Sequence, residues 1–112
     1  MQRIAVGVIT NSEGAHLGAY FEALARTEEV AAVFLADSTG GTIPQATKVL
    51  GEKLKTTFRD TRQMLREARP VMTLVSLEAA LAPPEIDAAL DAGSHVFAEK
   101  PACVRIEDFV PL

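Results

Sequence analysis

Ile4-Ala5-Val6-Gly7-Val8-Ile9 is an unbroken apolar run that stops abruptly at Thr10-Asn11-Ser12-Glu13. Arg3 precedes it, which gives it the superficial look of a secretory leader. It is too short for one and is followed by no small-residue cleavage site. No polar residue inside the run marks a solvent-facing side, so it reads as a strand covered on both faces. Such strands belong to the middle of parallel sheets.

The period changes immediately after it. Leu17, Phe21, Leu24 and Ala25 recur at helical spacing, and a second apolar run, Val30 to Ala36, ends on Asp37. Ser38-Thr39-Gly40-Gly41 is a turn, and Pro44 suits the first turn of a short helix carrying Ala46, Val49 and Leu50. Leu54 to Phe58 alternates rather than staying apolar, as an outer strand does. Asp60 is placed as an N-cap, with Gln63 three residues on to complete a capping box and with Met64, Leu65 and Ala68 on one face. Pro70 ends that helix, and Val71 to Ser76 forms a fourth strand. Pro83-Pro84 opens a helix expected to bury Ile86, Ala89 and Leu90, with Gly93 as its C-terminal cap. Val96-Phe97-Ala98 is a fifth strand, and Ile106 to Phe109 begins another helix. This strand–helix alternation predicts an α/β domain, a three-layer α/β/α sandwich around a parallel sheet of about five strands.

Bulk properties agree with one such domain. The chain has 112 residues, of which 48% are hydrophobic and 23% charged, with a net charge of −4. That is enough chain for one core and too little for two. The charges are interspersed, and the absence of a basic stripe argues against nucleic acid as a partner. No stretch is long enough to span a bilayer. The single cysteine, Cys103, permits no internal disulfide and fits a cytoplasmic location. His16 and His95 have no cysteine or acid at ligand spacing, so no metal site is expected.

Ligands of open parallel sheets bind beyond the carboxyl ends of the strands. Those ends here supply Thr10, Asn11 and Ser12, then Asp37 and Ser38, then Ser76, then Glu99-Lys100-Pro101. Asp37 stands where dinucleotide sites place an acid for the adenosine ribose hydroxyls, which favours NAD over NADP; the plainer alternative is a solvated turn residue. Ser38 and Thr39 leave room for a 2′-phosphate. The first turn carries no G-x-G-x-x-G, so Thr10, Asn11 and Ser12 would have to supply the donors at the helix N-terminus. Glu13 in that turn suits a plain helix start and would repel a pyrophosphate. His16, near the turn, is a candidate for the substrate side of the cleft. Lys100, directly after an apolar strand, is placed to stabilise a developing alkoxide or orient a substrate hydroxyl.

The segment from Ile86 to Pro101, which runs helix, Ala92-Gly93, strand, Glu99-Lys100-Pro101, closely resembles the corresponding block of the Gfo/Idh/MocA (glucose–fructose oxidoreductase/inositol dehydrogenase) family. Arg3 to Ile9, His16, Val30 to Asp37 and Pro70 to Ser76 match it in more general ways. The resemblance implies a Rossmann-type domain that binds NAD or NADP. It implies a cytoplasmic oxidoreductase acting on sugars, polyols or their derivatives, usually a homo-oligomer, with Lys100 as the catalytic residue beside the nicotinamide. This sequence departs from the family in its first-turn glycines and in Ser76 to Pro84, where the family has Thr-Pro and a histidine. Family members continue into a C-terminal substrate domain, so residues 1–112 are expected to be a cofactor domain cut before it. A second reading is a non-catalytic Rossmann-like module with a degenerate dinucleotide site, serving assembly or ligand sensing.

Overall fold

The structure, a computed structural model, describes residues 3–12, 17–78 and 80–98. His16, Glu99, Lys100, Pro101, Cys103 and the helix expected from Ile106 lie outside the described residues. Among the described residues five strands and four α-helices alternate: β1 Ile4–Thr10, α1 Leu17–Arg26, β2 Val30–Asp37, α2 Ile43–Leu50, β3 Leu54–Phe58, α3 Thr61–Ala68, β4 Met72–Ser76, α4 Ala82–Asp91 and β5 His95–Ala98. The strands form one sheet in the order β3-β2-β1-β4-β5, with every neighbouring pair parallel. The chain therefore moves outward from β1 on one side, then crosses back to continue on the other.

That crossover decides which helix covers which face. Val6 and Val8 of β1 and Val33 and Leu35 of β2 pack with Phe21 and Leu24 of α1 and with Ala46 and Leu50 of α2. The intervening residues, Ile9 and Ala36, pack with Met64 and Leu65 of α3 and with Ala82, Ile86 and Ala89 of α4. Side chains alternate along a strand, so a solidly apolar run such as β1 serves both cores at once. The result is the three-layer α/β/α sandwich that the alternation predicts. β3 is an edge strand with Lys55 and Thr56 exposed, which accounts for its mixed sequence.

Gly7 is needed for the closeness of the second core. A Cβ there would lie 2.9 Å from Pro70 Cγ and 3.1 Å from Met64 Cε. The C-terminal ends of α1 and α4 are both closed. Lys53 donates to the carbonyls of Leu24, Ala25 and Thr27 at 3.1, 2.8 and 2.9 Å, placing a cation at the C-terminal end of α1. Gly93, at φ 87°, ends α4 as expected. Its amide donates to Leu90 O and that of Ser94 to Ala89 O, which satisfies two terminal carbonyls. Buried Thr73 and Ser94 share a hydroxyl hydrogen bond of 2.7 Å, tying β4 to the approach of β5.

Two expectations are corrected. Leu90 is exposed, because the buried stripe of α4 runs Ala82–Ile86–Ala89 and Leu90 falls on its flank. Asp60 does cap α3, accepting from the Arg62 amide at 3.2 Å. Gln63 does not close a capping box: its amide nitrogen donates along the helix to Glu67 Oε2 at 2.9 Å.

Gly7→Ala is expected to cost about 1–3 kcal/mol, the usual penalty for overpacking a filled core. Urea unfolding of the two proteins measures it, and an unchanged midpoint would show that Pro70 and Met64 yield without strain.

Candidate functional site at the strand ends

The register of the sheet brings three of the predicted residues into one row. Thr10, the last residue of β1, is paired with Asp37 on one side and with Ser76 on the other. All three are buried, at 2%, 0% and 0% exposure, so this polar row lies under the carboxyl edge of the sheet rather than upon it. Buried polar groups need partners. Thr10 Oγ1 donates to the Ser76 carbonyl at 2.7 Å and lies 3.3 Å from the Asn11 carbonyl. This side-chain bond joins β1 to β4 at the point where the chain direction through the sheet reverses, the position at which open α/β sheets hold their ligands.

Asp37 stands at the expected strand end, but its carboxylate turns into its own loop. Oδ1 accepts from the amide and hydroxyl of Thr39, at 2.8 and 2.7 Å. Oδ2 accepts from the amide and hydroxyl of Thr42, at 2.8 and 2.5 Å. Burial pushes the carboxyl upward; the hydrogen bonds of Thr42 and Thr39 act against this and leave it below the ordinary aspartate value. Asp37 is therefore no solvated turn residue: it is the ionised centre of the β2–α2 loop and presents no surface. The loop in turn rests on the end of β1, where the Ser12 amide donates to Thr39 Oγ1 at 3.1 Å.

A crevice of about 310 Å³ opens beyond this row. Thr10, Asn11 and Ser38 line it from β1 and β2, Arg59 and Arg62 from the end of β3 and the start of α3, and Leu77 and Glu85 from beyond β4. Its volume is at the low end of small-molecule sites. Glu85 Oε2 is buried there and accepts no hydrogen bond among the described residues. A larger groove, about 610 Å³, runs between α3 and α4, but no strand-end residue reaches it. The smaller crevice is the site that the topology builds. Among the described residues no cluster of histidine, cysteine or acidic side chains could hold a metal. No described helix is long and apolar enough to cross a membrane.

The same fold occurs in sugar and polyol dehydrogenases. A myo-inositol dehydrogenase from Lactobacillus casei, solved with NAD(H) and myo-inositol, superposes with a TM-score of 0.83 at 21% identity, covering 98% of this chain and 32% of that one. A scyllo-inositol dehydrogenase from the same organism, solved with NAD(H) and scyllo-inositol, gives 0.79 at 22% identity over the same shares. A UDP-N-acetylglucosamine 3-dehydrogenase from Acidithiobacillus ferrooxidans gives 0.72 at 22% identity, over 99% of this chain and 34% of that one. The fold is theirs. Inositol dehydrogenases and related Gfo/Idh/MocA oxidoreductases are thus the structural neighbours of this chain, which spans about a third of their length. No protein-family model matches the sequence, and no curated protein matches it.

Thr10, Asn11, Ser38, Asp37 and Ser76 are brought together at the switch between β1 and β4, with Ser12 exposed beside them. His95 lies at the opposite end of β5, exposed and away from the crevice. Arg59, Arg62, Glu85 and Thr42 were not anticipated. Arg59 carries a signal, since it directly follows the last residue of β3. Arg62 and Glu85 sit inside helical first turns, where sequence spacing gives no sign of a cleft.

Because the folded-state pKa of Asp37 is depressed, its stabilisation is present above the ordinary aspartate pKa of about 4 and fades as pH falls below it. In Asp37→Asn the amide nitrogen would face donors, at a cost of about 1–3 kcal/mol near neutrality. Urea titrations at pH 7 and pH 3 should show the variant less stable at pH 7 and losing less than the parent on acidification; equal losses would place the acid sensitivity elsewhere.

Proposed function

We propose that this chain is the cofactor domain of an NAD(P)-dependent oxidoreductase of the Gfo/Idh/MocA type. In this reading the whole enzyme acts on a sugar, polyol or derivative. The observation that carries it is the crevice at the β1–β4 switch, in a sheet whose fold coincides with dehydrogenases solved with NAD(H). The residues present fit the adenosine side of a dinucleotide: the crevice is lined by Ser38, by two guanidinium groups, and by Glu85, whose buried Oε2 has no donor among the described residues.

Thr10 and Ser76 serve that reading by holding the floor of the crevice closed, and Asp37 by fixing the wall formed by residues 38–42. Asn11 and Ser12 open the turn that follows β1; the Ser12 amide is engaged by Thr39, and the exposed Ser12 hydroxyl is assigned to the phosphate side in place of a glycine fingerprint. When bound, the cofactor supplies hydride-transfer chemistry. Lys100 is assigned the substrate side, where an ammonium stabilises an alkoxide, with Glu99 and Pro101 flanking it; His16 is assigned to the same side. The substrate and the direction of transfer are assigned to the further domain that such enzymes carry, and the reading includes a cytoplasmic location and a homo-oligomeric state.

A second reading is favoured by one observation. The Asp37 carboxylate is consumed by Thr39 and Thr42, and the first turn lacks its glycines, as in a module that has given up its dinucleotide for assembly or ligand sensing. Calorimetric titration of the folded chain with NADH and NADPH separates the two. Saturable binding of either at micromolar to submillimolar concentration is the expected result. A well-folded sample that binds neither at millimolar concentration would leave only the second reading.

A further inference from the structure

Asp37, read from sequence, points to a 2′-hydroxyl and hence to NAD. Its surroundings weaken that argument. An acid selects against a 2′-phosphate most strongly where its carboxylate meets the ribose, and both Asp37 oxygens accept instead from the Thr39 and Thr42 donors. The residue that takes its place at the crevice is Ser38, exposed and one position further on.

Two arginines face the same space. Arg59 follows β3 and lies against the β2–α2 turn so closely that its Nη2 is 2.6 Å from where a Cβ on Gly40 would sit. Only the bare backbone of Gly40 allows the guanidinium that approach. Arg62 lines the crevice from the first turn of α3. Asp60 also lines it, with its Oδ1 accepting from the Arg62 amide. Arginine is the residue best suited to a phosphate monoester, since its planar fork makes paired charge-assisted bonds. The buried Oε2 of Glu85, which has no partner among the described residues, is the second sign of a ligand. It calls for a donor, and the 6-amino group of adenine is the donor that an adenosine brings.

We propose that Ser38, Arg59 and Arg62 form a receptor for the phosphate of a 2′-phosphorylated adenosine, so that this chain selects NADP(H) over NAD(H). The proposal rests on the dinucleotide reading above and reverses the cofactor preference that Asp37 alone suggests.

The test is calorimetric titration of the full chain, as parent and as Arg59→Gln and Arg62→Gln, with NADPH, NADH, 2′,5′-ADP and 3′,5′-ADP. Charged hydrogen bonds of this kind predict NADPH about tenfold or more tighter than NADH. The same order should hold for 2′,5′-ADP over 3′,5′-ADP, with the ratio of NADPH to NADH affinity falling sharply in each variant. Cooperative urea unfolding of each variant reports that it is folded. Equal or reversed affinities, or a preference untouched by both substitutions, overturn the phosphate receptor and leave the dinucleotide reading standing. Tighter binding of 3′,5′-ADP overturns it too, in favour of a 3′-phosphorylated adenosine. Binding of none of the four overturns both.

Discussion

β1 has a strand on each edge and a helical layer on each face, so every side chain it carries must fit a space that is already bounded. Val6 and Val8 enter one core, Ile9 enters the other, and Gly7 has no side chain because Pro70 and Met64 stand where one would go. Central parallel strands are buried in this way because their crossover helices are obliged to lie on the faces. The strand can become polar only where the helices no longer cover it, which is at Thr10. The end of the core and the beginning of the site are thus the same residue.

The row Thr10–Asp37–Ser76 shows what that transition demands. Polar side chains at the last strand position are still inside the molecule, and each must be satisfied there at a cost of about 1–3 kcal/mol if it is not. The protein meets this with hydroxyl, amide and carbonyl groups from adjacent chain ends rather than with long-range ion pairs. An ionised aspartate is tolerated because four donors surround it. The same bonds that make it tolerable hide it from the crevice, and the chemistry of the crevice passes to its neighbours Ser38, Arg59 and Arg62.

The fold was almost wholly legible in the sequence, because it is written in periodicity and in chain punctuation. Solid apolar runs, Pro44 and Pro83-Pro84 at helix starts and Gly93 at a helix end each act within a few residues of where they stand. The edge position of β3 was equally plain from its alternation. Leu90 was misjudged because helical spacing gives the width of a buried stripe only approximately, and Gln63 because a capping partner has a rival in Glu67 four residues on. In the site, the strand ends could be named in advance. The direction in which each side chain points could not, since it depends on loop dihedrals: Asp37 was correctly placed at its strand end, and its carboxylate accepts from Thr39 and Thr42 of the loop that follows. Arg62 and Glu85 reach the crevice only through the packing of α3 and α4 on the sheet, a relation between distant segments that no local pattern records.

The partners of Asp37 are two and five residues away along the chain. Closing so short a loop costs little chain entropy, so the bend from Ser38 to Thr42 is held chiefly by its own residues, with the Ser12 amide adding one bond from the end of β1. A small molecule arriving at the crevice meets a wall that is already set. Little of its binding free energy is then spent on ordering the protein at this side, and discrimination between similar molecules there becomes a matter of fit to a fixed surface rather than of a surface that moulds itself around whatever enters.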